Sequence, residues 1–121
     1  MSKHVLVLTG SPRRNGNSDR MAEAFITGAS DQGHEVVKYA AGRKTIGGCR
    51  ACKKCWSEGE PCIYRDDFDQ LVPLMEAADV IVFCTPLYWF TFPVQILAPI
   101  DRMYAYLSDN SKRFLKIKEC Y

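Results

Sequence analysis

A buried strand that runs into a glycine-serine-proline turn and then into a helix constrains this fold more than any other feature of the sequence. Residues 3–9 form a short apolar run, which is typical of a strand buried on both faces, and the run stops at Gly10-Ser11-Pro12. Apolar side chains at helical spacing then predict a helix that begins at Asn17 or Ser18 and stops at Gly33. They are Met21, Ala24, Phe25 and Ala29.

The next segments continue the alternation of strand and helix. Residues 34–39 predict a second strand near a sheet edge, joined to the first by a right-handed parallel crossover. A long loop over 40–65 follows, and Asp66-Asp67 can cap a helix that we expect Pro73 to kink or divide.

The last part of the chain carries the clearest strand. Residues 79–85 are β-branched and nearly unbroken, which predicts a central parallel strand. A helix follows from Pro93 to about Leu107, and residues 115–118 alternate as the opening of a fourth strand would. The order predicts one α/β domain over 1–121, with a cysteine-rich loop at 45–65.

The turn at 10–18 has the composition of an anion site. Free backbone N–H groups and the helix dipole favour a phosphate at a strand-turn-helix junction. The segment lacks both the Gly-x-Gly-x-x-Gly and the Gly-Lys-Ser/Thr pattern, and its alternative role is a polar connection with a helix cap. The side chains that can bind phosphate are Ser11, Arg13, Asn15, Asn17 and Ser18.

An aromatic segment, residues 85–93, follows the central strand. In open α/β sheets ligands bind at the carboxyl ends of the strands, so this segment can form a wall for a flat ring. Its alternative role is core packing beneath the next helix, and we expect Trp89, Phe90 and Phe92 to share the two roles.

Four cysteines lie close together in the long loop. Cys49, Cys52 and Cys55 are each separated by two residues, and Cys62 follows in the same glycine-containing segment. Four thiolates in so short a span can bind one ion or cluster, but the spacing leaves iron-sulfur, zinc and reduced thiols as alternatives.

Composition narrows the class of protein. The net charge of +2, with scattered basic residues, does not favour nucleic-acid binding. The apolar stretch Val5–Leu8 is too short for a signal peptide or a membrane span, so we expect a cytoplasmic protein whose six cysteines form no disulfides. Cys84 and Cys120 are expected to be small core residues.

Together these motifs resemble the flavodoxin-like NAD(P)H-dependent FMN reductases and their relatives, the iron-sulfur flavoproteins. The resemblance spans nearly the whole chain. It is carried by Gly10-Ser11-Pro12-Arg13 with Asn17-Ser18, by the Cys-x-x-Cys-x-x-Cys loop with Cys62 and Asp66-Asp67, by Ala78–Val82 leading to Thr85–Phe90, and by Pro93-Val94-Gln95 before Ile100-Asp101-Arg102.

The resemblance implies a three-layer α/β/α fold with a parallel sheet ordered 2-1-3-4-5 and with FMN at the turn after strand 1. It implies electron transfer from NAD(P)H through FMN to a quinone, flavin, nitro compound or protein acceptor, with no separate catalytic side chain. In the iron-sulfur relatives a 4Fe-4S cluster occupies the cysteine motif. The residues implied at the ribityl chain and ring are Pro86, Leu87, Tyr88, Trp89 and Phe90.

The same resemblance makes the carboxyl end unusual, because family members continue through strand 4 to strand 5. This chain stops at Tyr121, as strand 4 begins. We therefore expect a truncated, inactive fragment or a chain completed by a partner. An unpaired edge on strand 3 would favour a homodimer or higher oligomer.

Overall fold

A computed structural model describes residues 2–107 and 113–121. Within these ranges four parallel strands form one sheet in the order β2-β1-β3-β4, which confirms the predicted order of the first four strands. The strands are β1 His4–Thr9, β2 Glu35–Tyr39, β3 Val80–Cys84 and β4 Glu119–Cys120. The helices are α1 Asn17–Asp31, α2 Lys54–Glu58, α3 Phe68–Ala77 and α4 Val94–Arg102, with 3-10 turns at Ala41–Arg43 and Met103–Tyr106.

Strand β1 lies between β2 and β3 and is buried on both faces. Leu6 and Leu8 belong to a core cluster with Phe68 of α3 and Ile96 of α4. Alternate residues of β1 belong to a second, smaller cluster on the α1 side of the sheet. The continuous apolar run over residues 3–9 therefore has the structural role that the sequence predicts.

The apolar residues whose spacing predicts α1 do not form its buried face. Ala22 is fully buried and Ile26 packs against the smaller cluster, whereas Met21 is 68% exposed and Phe25 is 38% exposed. Two neighbouring stripes of this helix carry apolar residues at helical spacing, and the stripe with a small residue, Ala22, is the one that packs closely on the sheet.

Three other helix predictions change in detail. Pro73 lies inside α3 without dividing it, α4 ends at Arg102 instead of near Leu107, and the cysteine-rich loop contains the short helix α2. Within the described ranges no helix combines the length and apolar character needed to cross a membrane.

The fourth strand begins later than predicted and covers part of β3. Its residues Glu119 and Cys120 pair with Val80 and Ile81, and the N–H of Phe83 donates to the carbonyl of Tyr121 over 2.8 Å. The expectation of an unpaired β3 edge is therefore wrong for this part of the strand. Cys120 is exposed instead of lying in the core, and Cys84 is half-buried.

Two glycines allow three chain segments to meet at the carboxyl edge of the sheet. The N–H of Gly10 donates to the carbonyl of Cys84 over 3.2 Å, and a Cβ on Gly10 would lie 2.3 Å from the hydroxyl oxygen of Thr85. A Cβ on Gly42 would lie 2.3 Å from the carbonyl oxygen of Ser11. The segments that follow β1, β2 and β3 are thus in direct contact.

Gly42→Ala should destabilise the fold, because the neighbouring atoms belong to the backbone and cannot rotate away. We expect a loss of about 1–3 kcal/mol in the free energy of unfolding, measured by urea denaturation. The matched control is Gly28→Ala in α1, where an added Cβ has no neighbour within 4 Å. That change should stabilise the protein by about 0.5–1 kcal/mol through helix propensity. Equal effects of the two substitutions would contradict the close packing at Gly42.

Candidate functional site

The turn between β1 and α1 leaves donor groups available for an anion. Gly16 precedes α1 and supplies no side-chain cap for the first helical N–H groups. Ser11 is buried and its hydroxyl oxygen accepts the N–H of Arg13 over 3.1 Å, while the side chains of Arg13 and Asn17 are exposed. This arrangement fits the predicted phosphate site.

A polar atom at the end of β1 also lacks a partner. The hydroxyl of Thr9 is buried and makes no hydrogen bond with any described residue. An unpaired buried hydroxyl carries a desolvation cost that a ligand group or a water molecule would remove. The site thus has unused hydrogen-bonding capacity beside the anion turn.

Asp19, which the sequence analysis did not single out, shapes this turn from the first turn of α1. Its carboxylate accepts the N–H of Asn15 over 3.0 Å and pairs with Lys38 at 3.0 Å, and Arg43 lies 3.9 Å away. The Asn15 hydrogen bond, with help from Lys38, holds the pKa of Asp19 below its usual value. The sequence feature that points to Asp19 is its position as an acidic residue in the first turn of a predicted helix.

Asn15 itself has a φ of 58°, in the left-handed region that asparagine tolerates better than most residues. The Asp19 hydrogen bond holds it there. Ser18 is half-buried and Asn15 is exposed, and the five predicted phosphate residues are divided between the turn after β1 and the first residues of α1.

The aromatic segment after β3 divides between packing and exposure. Phe92 stacks on Phe83 with 6.1 Å between ring centroids, although it is itself 36% exposed. Trp89 is 89% exposed and Phe90 is 86% exposed. Phe92 thus accounts for some packing against β3, whereas Trp89 and Phe90 do not lie in the core, and the expected role of the segment as a wall for a flat ring stays a prediction.

Trp89 and Phe90 form the tip of a tight turn. The N–H groups of Tyr88 and Thr91 each donate to the other residue's carbonyl, over 2.9 and 3.0 Å. Both tip residues have positive φ, 42° and 66°. Bulky side chains rarely adopt this conformation, which costs about 1–3 kcal/mol per residue and clusters at binding sites.

The structure brings the anion turn and the aromatic segment together at one edge. Gly10 contacts Thr85, the residue that precedes Pro86 and Leu87. The two predicted halves of a cofactor site therefore share a boundary at the carboxyl ends of β1 and β3, which is where open α/β sheets bind ligands.

The cysteine-rich loop forms a second candidate site. Its four thiols line one pocket, together with Tyr64, Arg102 and Tyr104. Burial raises the pKa of the Cys55 thiol, and the proximity of the other three cysteines raises it further. The described cysteines are free thiols. In the described ranges no three His, Cys, Asp or Glu side chains already form a metal-binding group.

The loop's own backbone turns between the cysteines. Ala51 and Lys53 have positive φ, 56° and 63°. The indole N–H of Trp56 donates to the carbonyl of Tyr104 over 3.1 Å, and the two rings lie 4.7 Å apart. These contacts attach the loop to the 3-10 turn after α4. The donor set suits a soft metal ion or an iron-sulfur cluster, once the thiols move inward.

Two aspartates close the base of the cysteine-rich loop. Asp67 and Thr45 are joined twice, since the Asp67 carboxylate accepts the Thr45 N–H over 2.8 Å and the Asp67 N–H donates back over 3.1 Å. Asp66 accepts the N–H groups of Gly47 and Phe68, each over 3.0 Å. Asp66 thus caps the start of α3, as the sequence predicted, and also holds the loop.

Sequence comparison identifies a protein family and several relatives that this chain resembles. Residues 4–116 match the sequence profile of the family described as NADPH-dependent FMN reductase. The chain is 36% identical over 99 residues to an iron-sulfur flavoprotein of Archaeoglobus fulgidus, covering 82% of this chain and 44% of that protein. It is 30% identical over 95 residues to an iron-sulfur flavoprotein of Methanosarcina thermophila, covering 78% and 49% of the two chains.

Solved structures show the same fold. The NAD(P)H:quinone oxidoreductase from Methanothermobacter marburgensis superposes with a TM-score of 0.77 at 23% identity, covering 99% of this chain and 64% of that one. This chain therefore spans about half the length of the curated relatives that it matches and somewhat under two thirds of this structural neighbour.

Replacing the aromatic tip by Asn-Gly should stabilise the protein. In the double variant Trp89→Asn/Phe90→Gly both residues tolerate positive φ, so we expect the free energy of unfolding to rise by about 0.5–1 kcal/mol in urea denaturation. The control Leu87→Asn changes an exposed residue of the same segment that lacks positive φ and should stay within about 0.5 kcal/mol of wild type. A less stable double variant would show that the tip is not strained.

Proposed function

This chain belongs to the NADPH-dependent FMN reductase family, and we propose that it holds FMN at the carboxyl edge of its sheet and transfers electrons from NAD(P)H to an acceptor. The observation that carries the proposal is the contact between Gly10 and Thr85, which joins an anion turn to an aromatic segment. A phosphate group and a flat ring are the two ends of FMN.

At the phosphate end, the proposed ligands are the uncapped N–H groups at the start of α1 and the side chains around them. Arg13 supplies charge, and the buried hydroxyl of Ser11 orients the turn by accepting the Arg13 N–H. Asp19 keeps Asn15 in its left-handed conformation, so the turn is ordered before any ligand arrives. Asn15, Asn17 and Ser18 complete the proposed phosphate set.

At the ring end, the aromatic segment supplies shape. Pro86, Leu87 and Tyr88 lead from β3 to the tip, where Trp89 and Phe90 present large apolar surfaces to solvent. We propose that these five residues border the ribityl chain and ring and exclude water from them. Bound FMN would supply the redox chemistry, and the protein would supply binding and orientation.

The second candidate function is electron carriage through a 4Fe-4S cluster in the cysteine-rich loop. It is supported by the pocket that Cys49, Cys52, Cys55 and Cys62 share, and by thiolates being the donors that such clusters use. The Archaeoglobus and Methanosarcina relatives carry the name iron-sulfur flavoprotein.

The proposal extends to partners. The acceptor would be a quinone, a flavin, a nitro compound or another redox protein. We also propose self-association into a homodimer or larger oligomer, because the exposed Met21, Trp89 and Phe90 leave apolar surface that a second copy would cover.

Titration with FMN, followed by NAD(P)H under anaerobic conditions, tests the flavin function. We expect FMN to bind with a change in its visible absorption, and its bands to bleach when NAD(P)H is added. Arg13→Ala should weaken FMN binding about tenfold, because it removes a charged phosphate contact, and should leave riboflavin binding unchanged.

Lys118→Ala is the matched control, since this exposed lysine precedes β4 at the opposite edge of the sheet. It should bind FMN as wild type does. If the wild-type protein took up no FMN, the flavin function would be rejected for this chain, and an equal loss of riboflavin affinity in Arg13→Ala would reject the assigned phosphate contact.

Iron and acid-labile sulfide assays on anaerobically purified protein test the second function. We expect about four irons and four sulfides per chain and a broad absorption beyond the flavin bands, both lost in Cys52→Ala. Cys120→Ala, at an exposed cysteine outside the loop, should retain them. Zinc without sulfide, or metal-free thiols after anaerobic reconstitution, would contradict the cluster.

A further inference from the structure

Arg102, at the end of α4, is one of the few buried charges in the described part of the chain. It is only 4% exposed, and its guanidinium lies over the ring of Phe68 at 4.5 Å from the centroid. A buried arginine needs a counter-charge and acceptors for its donors, because its desolvation is otherwise costly. The identity of its partners therefore indicates what the residue holds.

The guanidinium bonds to both ends of the cysteine-rich loop. Its Nη1 donates to the carbonyl of Gly47 over 2.9 Å and to the Asp66 carboxylate over 2.8 Å. Its Nη2 donates to the carbonyl of Tyr64 over 3.3 Å and to the other Asp66 oxygen over 3.2 Å. Gly47 lies two residues before Cys49, and Tyr64 lies two residues after Cys62. One planar group thus joins the two points that flank the four cysteines.

Arg102 is also part of the pocket that the four thiols line. Its Nε–H is buried and has no acceptor among the described residues. Burial opposes its charge, but the hydrogen bond to Asp66 and the proximity of Cys62 and Asp66 raise the pKa of Arg102 above its usual value. The guanidinium therefore stays charged although it is buried, and it lines the same pocket as Cys62.

Cys62 is the thiol whose position depends most on loop closure. The other three cysteines are separated by two residues each, whereas six residues separate Cys55 from Cys62. Bringing the ends of such a segment together has an entropic cost. Where Arg102 already holds the ends together, a metal centre need not meet that cost when it binds.

We propose that Arg102 is a positioning residue for the cysteine site and that it places Cys62 beside the other three thiols by clamping Gly47 and Tyr64. The inference rests on the metal-binding half of the proposed function and is independent of FMN. Lysine cannot replace arginine here, because an ammonium group lacks the planar fork that reaches two carbonyls and both oxygens of one carboxylate.

Cobalt(II) is the probe, because the absorption of cobalt-thiolate complexes reports the number of bound sulfurs. We expect wild-type protein to bind one Co²⁺ through four thiolates. Arg102→Lys should bind it about 10–100-fold more weakly, as is typical when a residue that orients metal ligands is replaced. Its thiolate absorption should fall to the level that we expect of Cys62→Ala, which has one thiolate fewer. Arg102→Met should behave in the same way.

Arg65 provides the matched control. It also lies near the end of the loop and pairs with Glu60 at 3.6 Å and Asp69 at 3.4 Å, but its side chain is 61% exposed. Arg65→Lys should leave the cobalt affinity and spectrum unchanged. A purely structural role for Arg102 would lower thermal stability without changing the number of bound thiolates.

FMN titration of the same variants separates this inference from the flavin function. An Arg102→Lys protein that binds FMN normally and gives the wild-type cobalt spectrum and affinity would overturn the proposal. Absence of thiolate absorption in wild type would overturn it too, while leaving FMN binding standing. Loss of FMN binding in both Arg102→Lys and Arg102→Met would also reject it, because Arg102 would then support the whole fold instead of the loop.

Discussion

The close approach of three backbone segments at the end of β1 is the constraint on which the rest of the molecule depends. Gly10 touches Thr85, and Gly42 touches the backbone of Ser11, at distances where no side chain fits. Because the strands are parallel, the segments after β1, β2 and β3 leave the sheet at the same edge. The glycines let those segments pack into one surface, and the anion turn and aromatic segment both belong to it.

A buried charge connects the cysteine-rich loop to this frame. Asp66 caps α3, whose first residue, Phe68, is fully buried in the larger core cluster. Arg102 covers the Phe68 ring and pairs with Asp66, so the base of the loop is continuous with the core. The exposed part of the loop, including Cys49 and Cys52, can then rearrange around a ligand while its ends stay fixed.

The sequence predicted those parts of the structure that depend on local chemistry. β1 and β3 are uninterrupted apolar runs, and the turn between β1 and α1 has a recognisable donor composition. The positions of these three segments could therefore be predicted from the sequence. The buried face of α1 could not, because Met21 and Ala22 lie on adjacent stripes and only packing selects between them. The late start of β4 and the role of Arg102 depend on partners far away in sequence, which no local pattern records.

The two ion-pair systems at opposite parts of the molecule differ in their contact with solvent. Lys3 with Glu119, and Lys116 with Asp79, hold the end of the chain to the sheet through side chains that are 35–53% exposed. The Arg102 side chain is 3% exposed and the Asp66 side chain 18%. Dissolved ions screen exposed charges far more than buried ones. Raising the ionic strength therefore weakens the two ion pairs beside β4 more than the Arg102–Asp66 pair, so the salt concentration of the medium acts on one edge of the sheet and not on the base of the cysteine-rich loop.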